Sequence, residues 1–234
     1  MPPVRLSPRR LGRRTIESFR EGGLREVLWQ TLAMAGARRL EIHCRGAECE
    51  PAPPVAGMTV RLLSAGDADA HRELRPFPPI TRSEFSRRLR AGDLCIGAWQ
   101  GGRLVGVCWL ALNKAVVAYL GVSFALAPDT GYIYEVYTAR DERHRGIGSL
   151  LDAAARDAAR AAGRTRVLSG LLPDNAAAAA LIRESVGPLG AVTSMRIGPR
   201  RIVRSSLPPG YTGRVRPLPH KHGPARRKGG RWPA

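Results

Sequence analysis

Six residues, Arg143, His144, Arg145, Gly146, Ile147 and Gly148, join a strand-like run to an alanine-rich helical run. A helix start leaves backbone N–H groups without intrahelical acceptors, and the aligned peptide dipoles give it partial positive charge. Gly146 and Gly148 clear space for a phosphate and tolerate torsions that other residues resist, while Arg143 and Arg145 place cations beside the same spot. The chemistry this spacing predicts is diphosphate binding at a helix N-terminus. Two phosphate-binding loops fail on spacing. A P-loop needs Lys and then Ser or Thr after its second glycine, and a dinucleotide fingerprint needs a third glycine, whereas Ser149, Leu150 and Leu151 follow Gly148.

The elements that must position this junction are read from periodicity. "MTVRLL" opens a strand over 58–64, followed by a polar helix at 66–75, a Pro-rich bend and a second helix at 81–91. Strands at 94–100 and 103–112 flank the turn "QGGR" and predict an antiparallel hairpin. Residues 113–131 extend the hairpin or form a loop. The strand "GYIYEVYT" leads into the motif and a helix from Gly146 to Ala162. The strand "RVLSGLL", a turn at Pro173–Asn175, the helix "AAAAALIRES" and a strand pair near 190–204 complete the order.

Upstream, Leu24, Val27, Leu28, Leu32 and Ala35 recur at helical spacing, and "LEIHC" alternates Leu40, Ile42 and Cys44 against Glu41 and His43. The Pro-rich stretch "EPAPPVAG" then reads as a linker. The expected division is an N-terminal extension of helix, strand and linker (1–57), a main domain (58–204) and a basic, disordered tail (205–234). From Pro199 onward there are ten Lys or Arg residues and no acid, which predicts weak contact with polyanions such as nucleic acid.

At 234 residues with 44% hydrophobic residues and a net charge of +19, the chain is long enough for one core with extensions. No run approaches the roughly 18–20 apolar residues that cross a bilayer, so no membrane role is expected. Glu17, Glu21 and Glu26 break the resemblance of the N-terminus to an export signal. Four cysteines suggest no disulfide framework and fit a cytoplasmic protein. His43, Cys44 and Cys49 match no strong zinc spacing and lack a fourth ligand, so no metal is expected.

The motif resembles the acyl-CoA signature of the GNAT N-acetyltransferase superfamily: Arg or Gln, two residues, Gly, one residue, then Gly or Ala. Arg143, Gly146 and Gly148 hold its defined positions, "YIYEVYTARDERHRGIGSLLDAAARDA" resembles the family's strand, loop and helix, and with the order of the elements before and after it the resemblance covers roughly Met58 to Arg204. The resemblance implies a mixed α/β (α+β) fold in which a strongly twisted central sheet is flanked by helices and two middle parallel strands splay apart around acetyl-CoA. It implies that the backbone of Val136, Tyr137 and Thr138 runs beside the pantetheine arm. The amides from Arg143 through His144, Arg145, Gly146 and Ile147 to Gly148 would hold the pyrophosphate. Asn175 stands where relatives place a CoA-contacting asparagine, or else it caps the following helix.

By the same resemblance the activity is acetyl transfer to a primary amine, which must be neutral to attack the thioester. Glu135 is the candidate to take that proton. Many relatives supply a proton-donating tyrosine at the place of Ile182, which cannot donate; Tyr137 or Tyr134, or solvent instead, is left for that role. Strand alternation predicts that these two point to opposite faces. The amine-bearing acceptor stays open, as does homodimerisation. The competing reading is a catalytically idle GNAT-like CoA-binding or nucleic-acid-associated module.

Overall fold

The run RLVGVCWLA (Arg103–Ala111, β4) buries every residue but its first, so it belongs at the centre of a sheet covered on both faces. The computed structural model places it there, and describes residues 37–74, 80–172, 175, 178–179, 182, 187–197 and 200–218. The expected helix over 23–36, the bend at 75–79 and most of the helix 176–185 lie outside these residues.

The chain forms β1 (Ala37–Gly46), β2 (Met58–Leu62), a 3-10 turn, α1 (Ala68–Leu74), α2 (Arg82–Arg90), β3 (Leu94–Gln100) and β4. A hairpin of β5 (Lys114–Val117) and β6 (Val122–Ala125) leads to β7 (Thr130–Thr138), α3 (Ile147–Ala161) and β8 (Arg166–Leu171). Last come β9 (Pro188–Ile197), β10 (Arg200–Ser205) and β11 (Arg216–Pro217). Eight strands form one sheet in the order β10-β9-β1-β8-β7-β4-β3-β2, and β11-β6-β5 form a second. Within the large sheet only the β7–β8 pair is parallel. This is the GNAT-like mixed architecture that the sequence predicts.

Three cores follow from strand alternation. Ile147, Leu151, Ala155 and Ala159 of α3 pack on Val105, Leu110, Ile133 and Val167. On the opposite face Phe85 of α2 joins Leu63, Val107 and Trp109. Ala115, Val117, Val122 and Phe124 of the small sheet close over Leu40, Ile42, Leu168 and Val192. The stretch 113–131, ambiguous in sequence, is thus a second hairpin whose alternate residues cover β1, β8 and β9. A side chain at Gly106 would collide with Leu151 and Ile147 at 2.9 and 3.0 Å, so glycine there lets α3 lie close on β4.

Two expected boundaries do not hold. The strand expected in a separate N-terminal extension, β1, sits inside the main sheet, antiparallel to β8 and to β9. Its apolar side enters the third core, and its other side sends Arg45 across to α3. There both guanidinium Nη atoms donate to Asp152 at 2.7 Å, and Nη2 also reaches Ser169 at 3.3 Å. Arg156 of α3 donates to the carbonyls of Gly46 and Glu48, fixing the chain as it leaves β1. The expected tail also begins too early. Thr212 bridges Leu126, and β11 pairs with β6, so the stretch to Leu218 belongs to the fold. Its apolar residues Leu207, Tyr211 and Val215 pack on the third core, which the density of arginine and proline there obscures in the sequence.

The Arg45–Asp152 pair is almost fully buried, with side-chain exposures of 2% and 10%. Removing one partner strands the other charge in the interior, a loss of about 3–5 kcal/mol. Arg45→Met is therefore expected to lower the unfolding free energy by about that much, measured by urea titration. Arg45→Met with Asp152→Leu should recover most of it.

Candidate active site

The site begins where two strands part. β7 and β8 pair in parallel from Thr130↔Arg166 to Ile133↔Ser169, and among the described residues the pairing goes no further. On its other side β7 remains on β4 as far as Thr138, and β8 remains on β1 as far as Leu171. Val136, Tyr137 and Thr138 therefore turn one backbone edge toward the opening between the strands.

Glu135 sits at φ +52°, a left-handed conformation uncommon for a residue with a side chain. The register across β4 shows why. Val107 faces Tyr137 and Trp109 faces Tyr134, so β7 carries one extra residue, a bulge at Glu135. The bulge resets the alternation and overturns the expectation for the two tyrosines. Tyr134 and Tyr137 both pack on the Trp109 side of the sheet, while Val136 packs on the α3 side.

The Glu135 carboxylate is held by Arg88 of α2, whose Nη1 and Nη2 donate to it at 3.1 and 3.2 Å. Arg88 Nε donates to Glu84 at 3.0 Å, and its guanidinium lies 5.2 Å from the Trp109 ring centre and 5.5 Å from that of Tyr134. Hydrogen bonds from Arg87 hold the Glu84 carboxyl down at about 2. Beside them the Tyr134 hydroxyl donates to Asp93 Oδ2 at 2.7 Å. Burial raises both the Asp93 carboxyl and the Tyr134 phenol above their ordinary values.

The junction from Arg143 to Gly148 lies at the end of β7. Gly146 is the N-cap of α3 at φ +80°, a torsion that glycine adopts without strain, and His144 precedes it at φ +63°. No side chain caps this helix and its first turn carries no acid, so among the described residues its first amides have no side-chain acceptor. Ile147 is buried against the sheet, with Gly148 following it in the first turn. The Arg143 side chain lies over the Tyr137 ring at 6.0 Å, and its Nε is 3.4 Å from the Thr138 carbonyl. Arg145 is differently engaged: it donates to the buried Glu142, which also accepts from Arg103 at 2.7 Å, and to Gln100 at 3.2 Å. Its cation is thus largely balanced by Glu142.

Two further positions are decided by local contacts. Asn175 Oδ1 accepts from the Ala178 amide at 3.0 Å, the helix-capping alternative. Ile182 is buried. Residues that the sequence reading passed over are Arg88 and Glu142, while Asp93 stood in it only among the acids between 65 and 93 that could attract an amine. None of the three belongs to a motif of its own, and each acquires its role through a partner: Glu135 and Tyr134 are 47 and 41 residues away, Arg103 39 residues away. Among the described residues no group of His, Cys, Asp or Glu is arranged to hold a metal.

Raised by burial, Asp93 binds its proton more tightly in the folded state than in the unfolded chain. Its contribution to stability therefore falls as pH rises from the ordinary aspartate range, about 3.9, through the raised folded value. Asp93→Asn, which still accepts from Tyr134, is expected to be more stable than the parent at pH 7. Urea unfolding between pH 7 and 4 should show this gain shrinking on acidification; a gain that grows would contradict the assignment.

The acetyltransferase (GNAT) family profile matches residues 63–187, more than half of the chain. Among solved structures, a Drosophila protein is 17% identical with a TM-score of 0.47, covering 74% of this chain and 52% of that one. A GCN5-related N-acetyltransferase from Sphaerobacter thermophilus is 19% identical, TM-score 0.48, covering 70% and 52%. A ribosomal-protein-alanine N-acetyltransferase from Brucella melitensis is 20% identical, TM-score 0.44, covering 54% and 82%. The chain thus spans about half the length of the first two. No curated protein matches. With its splayed strands, bulge and uncapped helix start falling inside the matched region, the chain belongs to the acetyltransferase (GNAT) family.

Proposed function

We propose that this chain is an acyl-CoA-dependent N-acyltransferase that moves an acetyl group from acetyl-CoA to a primary amine by direct attack on the thioester. The observation that carries the reading is the parting of β7 and β8 beside a helix start with free amides. The opening offers a backbone edge at Val136, Tyr137 and Thr138 for the pantetheine amides. The amides from Arg143 to Gly148 suit a diphosphate, with Arg143 supplying charge. Asn175 would meet CoA only with its carbonyl oxygen already engaged in the cap.

In this reaction the neutral amine forms a C–N bond as the C–S bond breaks, and the outgoing thiolate takes up a proton. Glu135, fixed on the bulge by Arg88, receives the ammonium proton directly or through water. Tyr137, turned by the bulge to the same side as Tyr134, returns one to the thiolate. The competing reading, CoA binding without turnover, is favoured by one observation: Arg88 engages both oxygens of Glu135. The four free thiols suit a cytoplasmic setting, and the basic C-terminal residues suit contact with a polyanion.

Acetyl-CoA at about 100 times its Kd should raise the melting temperature by roughly 5–10 °C. Gly146→Trp, which obstructs the helix start, should abolish the shift. Thiol release with a panel of amines then separates the two readings. Turnover that drops by about 10²–10⁴-fold in Glu135→Gln supports catalysis, whereas a ligand shift with no thiol release from any amine supports the idle module.

A further inference from the structure

Charge is segregated in this fold. Around the site acids and arginines are matched, as in Arg88–Glu135 and Arg103–Asp141, and Arg166, which reaches the Gly210 carbonyl and the Tyr211 ring, is matched by Asp129. From Gly187 to Leu218, by contrast, there are six arginines and no acid, and residues 112–128 add Lys114 and no acid. These segments meet in space: β10 is the outer strand of the large sheet, and β11 lies beside it while pairing with β6 of the small one. Arg200, Arg204, Arg214 and Arg216 are exposed there, and among the described residues none of the four meets a carboxylate. Arg204 shares a row with Thr193 and Arg39, and Arg39 meets Glu41 at 3.4 Å.

An aromatic ring stands on the small-sheet side of this edge, whereas the alternation of β10 turns Arg200 and Arg204 to its other side. Tyr119, in the β5–β6 turn, is 44% exposed, and Arg38 donates to its carbonyl at 2.7 Å and lies 5.0 Å over its ring. Arg201 reaches the adjacent Leu120 carbonyl at 2.5 Å. The Leu218 amide donates to Gly121 at 2.9 Å, so the last sixteen residues, with Lys221, Arg226, Arg227, Lys228 and Arg231, follow on from this point.

We infer that this folded edge, and not only the chain that follows it, is a binding surface for single-stranded nucleic acid. Uncompensated cations on a fixed surface repel one another and are relieved by a polyanion whose counterions they release. An exposed ring among arginines adds a platform on which a base can stack, which an acidic protein would not use. Exposed Ile197 at the end of β9 and Ile202 on β10 make an anionic membrane the competing partner. Three strand spacings separate β10 from β8, about 14 Å, so a nucleic acid on this edge runs close to the opening beside β8. A protein carried on that nucleic acid is then the acceptor class the surface favours. That consequence rests on the acyltransfer reading; the binding does not.

The test is fluorescence anisotropy of a labelled oligouridine RNA with the full chain, without acetyl-CoA, across a salt series. Joint substitution of Arg200, Arg204, Arg214 and Arg216 by Gln should weaken binding at least ~10-fold and reduce the log–log salt slope by about 3, four contacts at about 0.7 each. Tyr119→Ala should weaken it by about tenfold with little change in slope. Circular dichroism and urea titration establish that each variant is folded. A second variant carries Gln at Lys221, Arg226, Arg227, Lys228 and Arg231. If it loses all binding while the four-arginine variant binds like the parent, the surface assignment is overturned. Absence of RNA binding by the parent, or retention on phosphatidylserine vesicles but not on RNA, overturns it equally. Because no acyl donor is present, none of these failures bears on the acyltransfer reading.

Discussion

The architecture of this protein turns on two neighbouring strands that are each held by someone else. β7 is tied to β4 through Thr138, and β8 is tied to β1 through Leu171, whereas β7 and β8 pair with each other only as far as Ile133 and Ser169. The pairing ends just before the bulge at Glu135, where an extra residue bends β7 and raises its local twist. The gap this leaves exposes peptide groups that must be satisfied by something else. A ligand with its own amides is the natural partner, and the uncapped start of α3 stands at the mouth of the same gap.

The inserted strand β1 is therefore part of the site, not an appendage to it. It keeps β8 paired through Leu171, past the point where β7 leaves it, and the buried Arg45–Asp152 pair connects it to α3. A buried pair of this kind contributes modestly to stability relative to an apolar substitute, but it penalises any arrangement in which its partners are apart. It thereby ties the position of α3 to the position of β1. Glu142 does similar work at the loop, drawing Arg103 and Arg145 together so that the backbone from Arg143 to Gly146 takes one path.

Much of this was legible locally. The hairpin of β3 and β4, the Ala-rich helix and the RHRGIG junction all rest on neighbours within a few residues, where periodicity, turn chemistry and helix-end electrostatics act. The small sheet was half visible, because Ala115, Val117, Val122 and Phe124 alternate, but its partner core is supplied by β1, β8 and β9. The place of β1 was not visible, since a ten-residue amphipathic strand carries no mark of which edge it will fill. The relation between Tyr134 and Tyr137 was misread for a related reason: one residue in a left-handed conformation shifts the phase, and nothing in "YIYEVY" marks Glu135 as that residue.

By itself, then, the sequence determined which segments are helix and strand through most of the chain, where the glycine-started helix after β7 begins, and the excess of cations toward the C-terminus, because each depends on residue types within a turn or two of one another. Only the tertiary structure decided that the N-terminal strand lies within the sheet, that a bulge puts both tyrosines on one side, that Arg88 takes hold of Glu135, and that scattered arginines share one edge. Those are contacts between residues tens to more than a hundred positions apart. Their free energy arises from burial and charge pairing in the assembled fold, so no local pattern carries it.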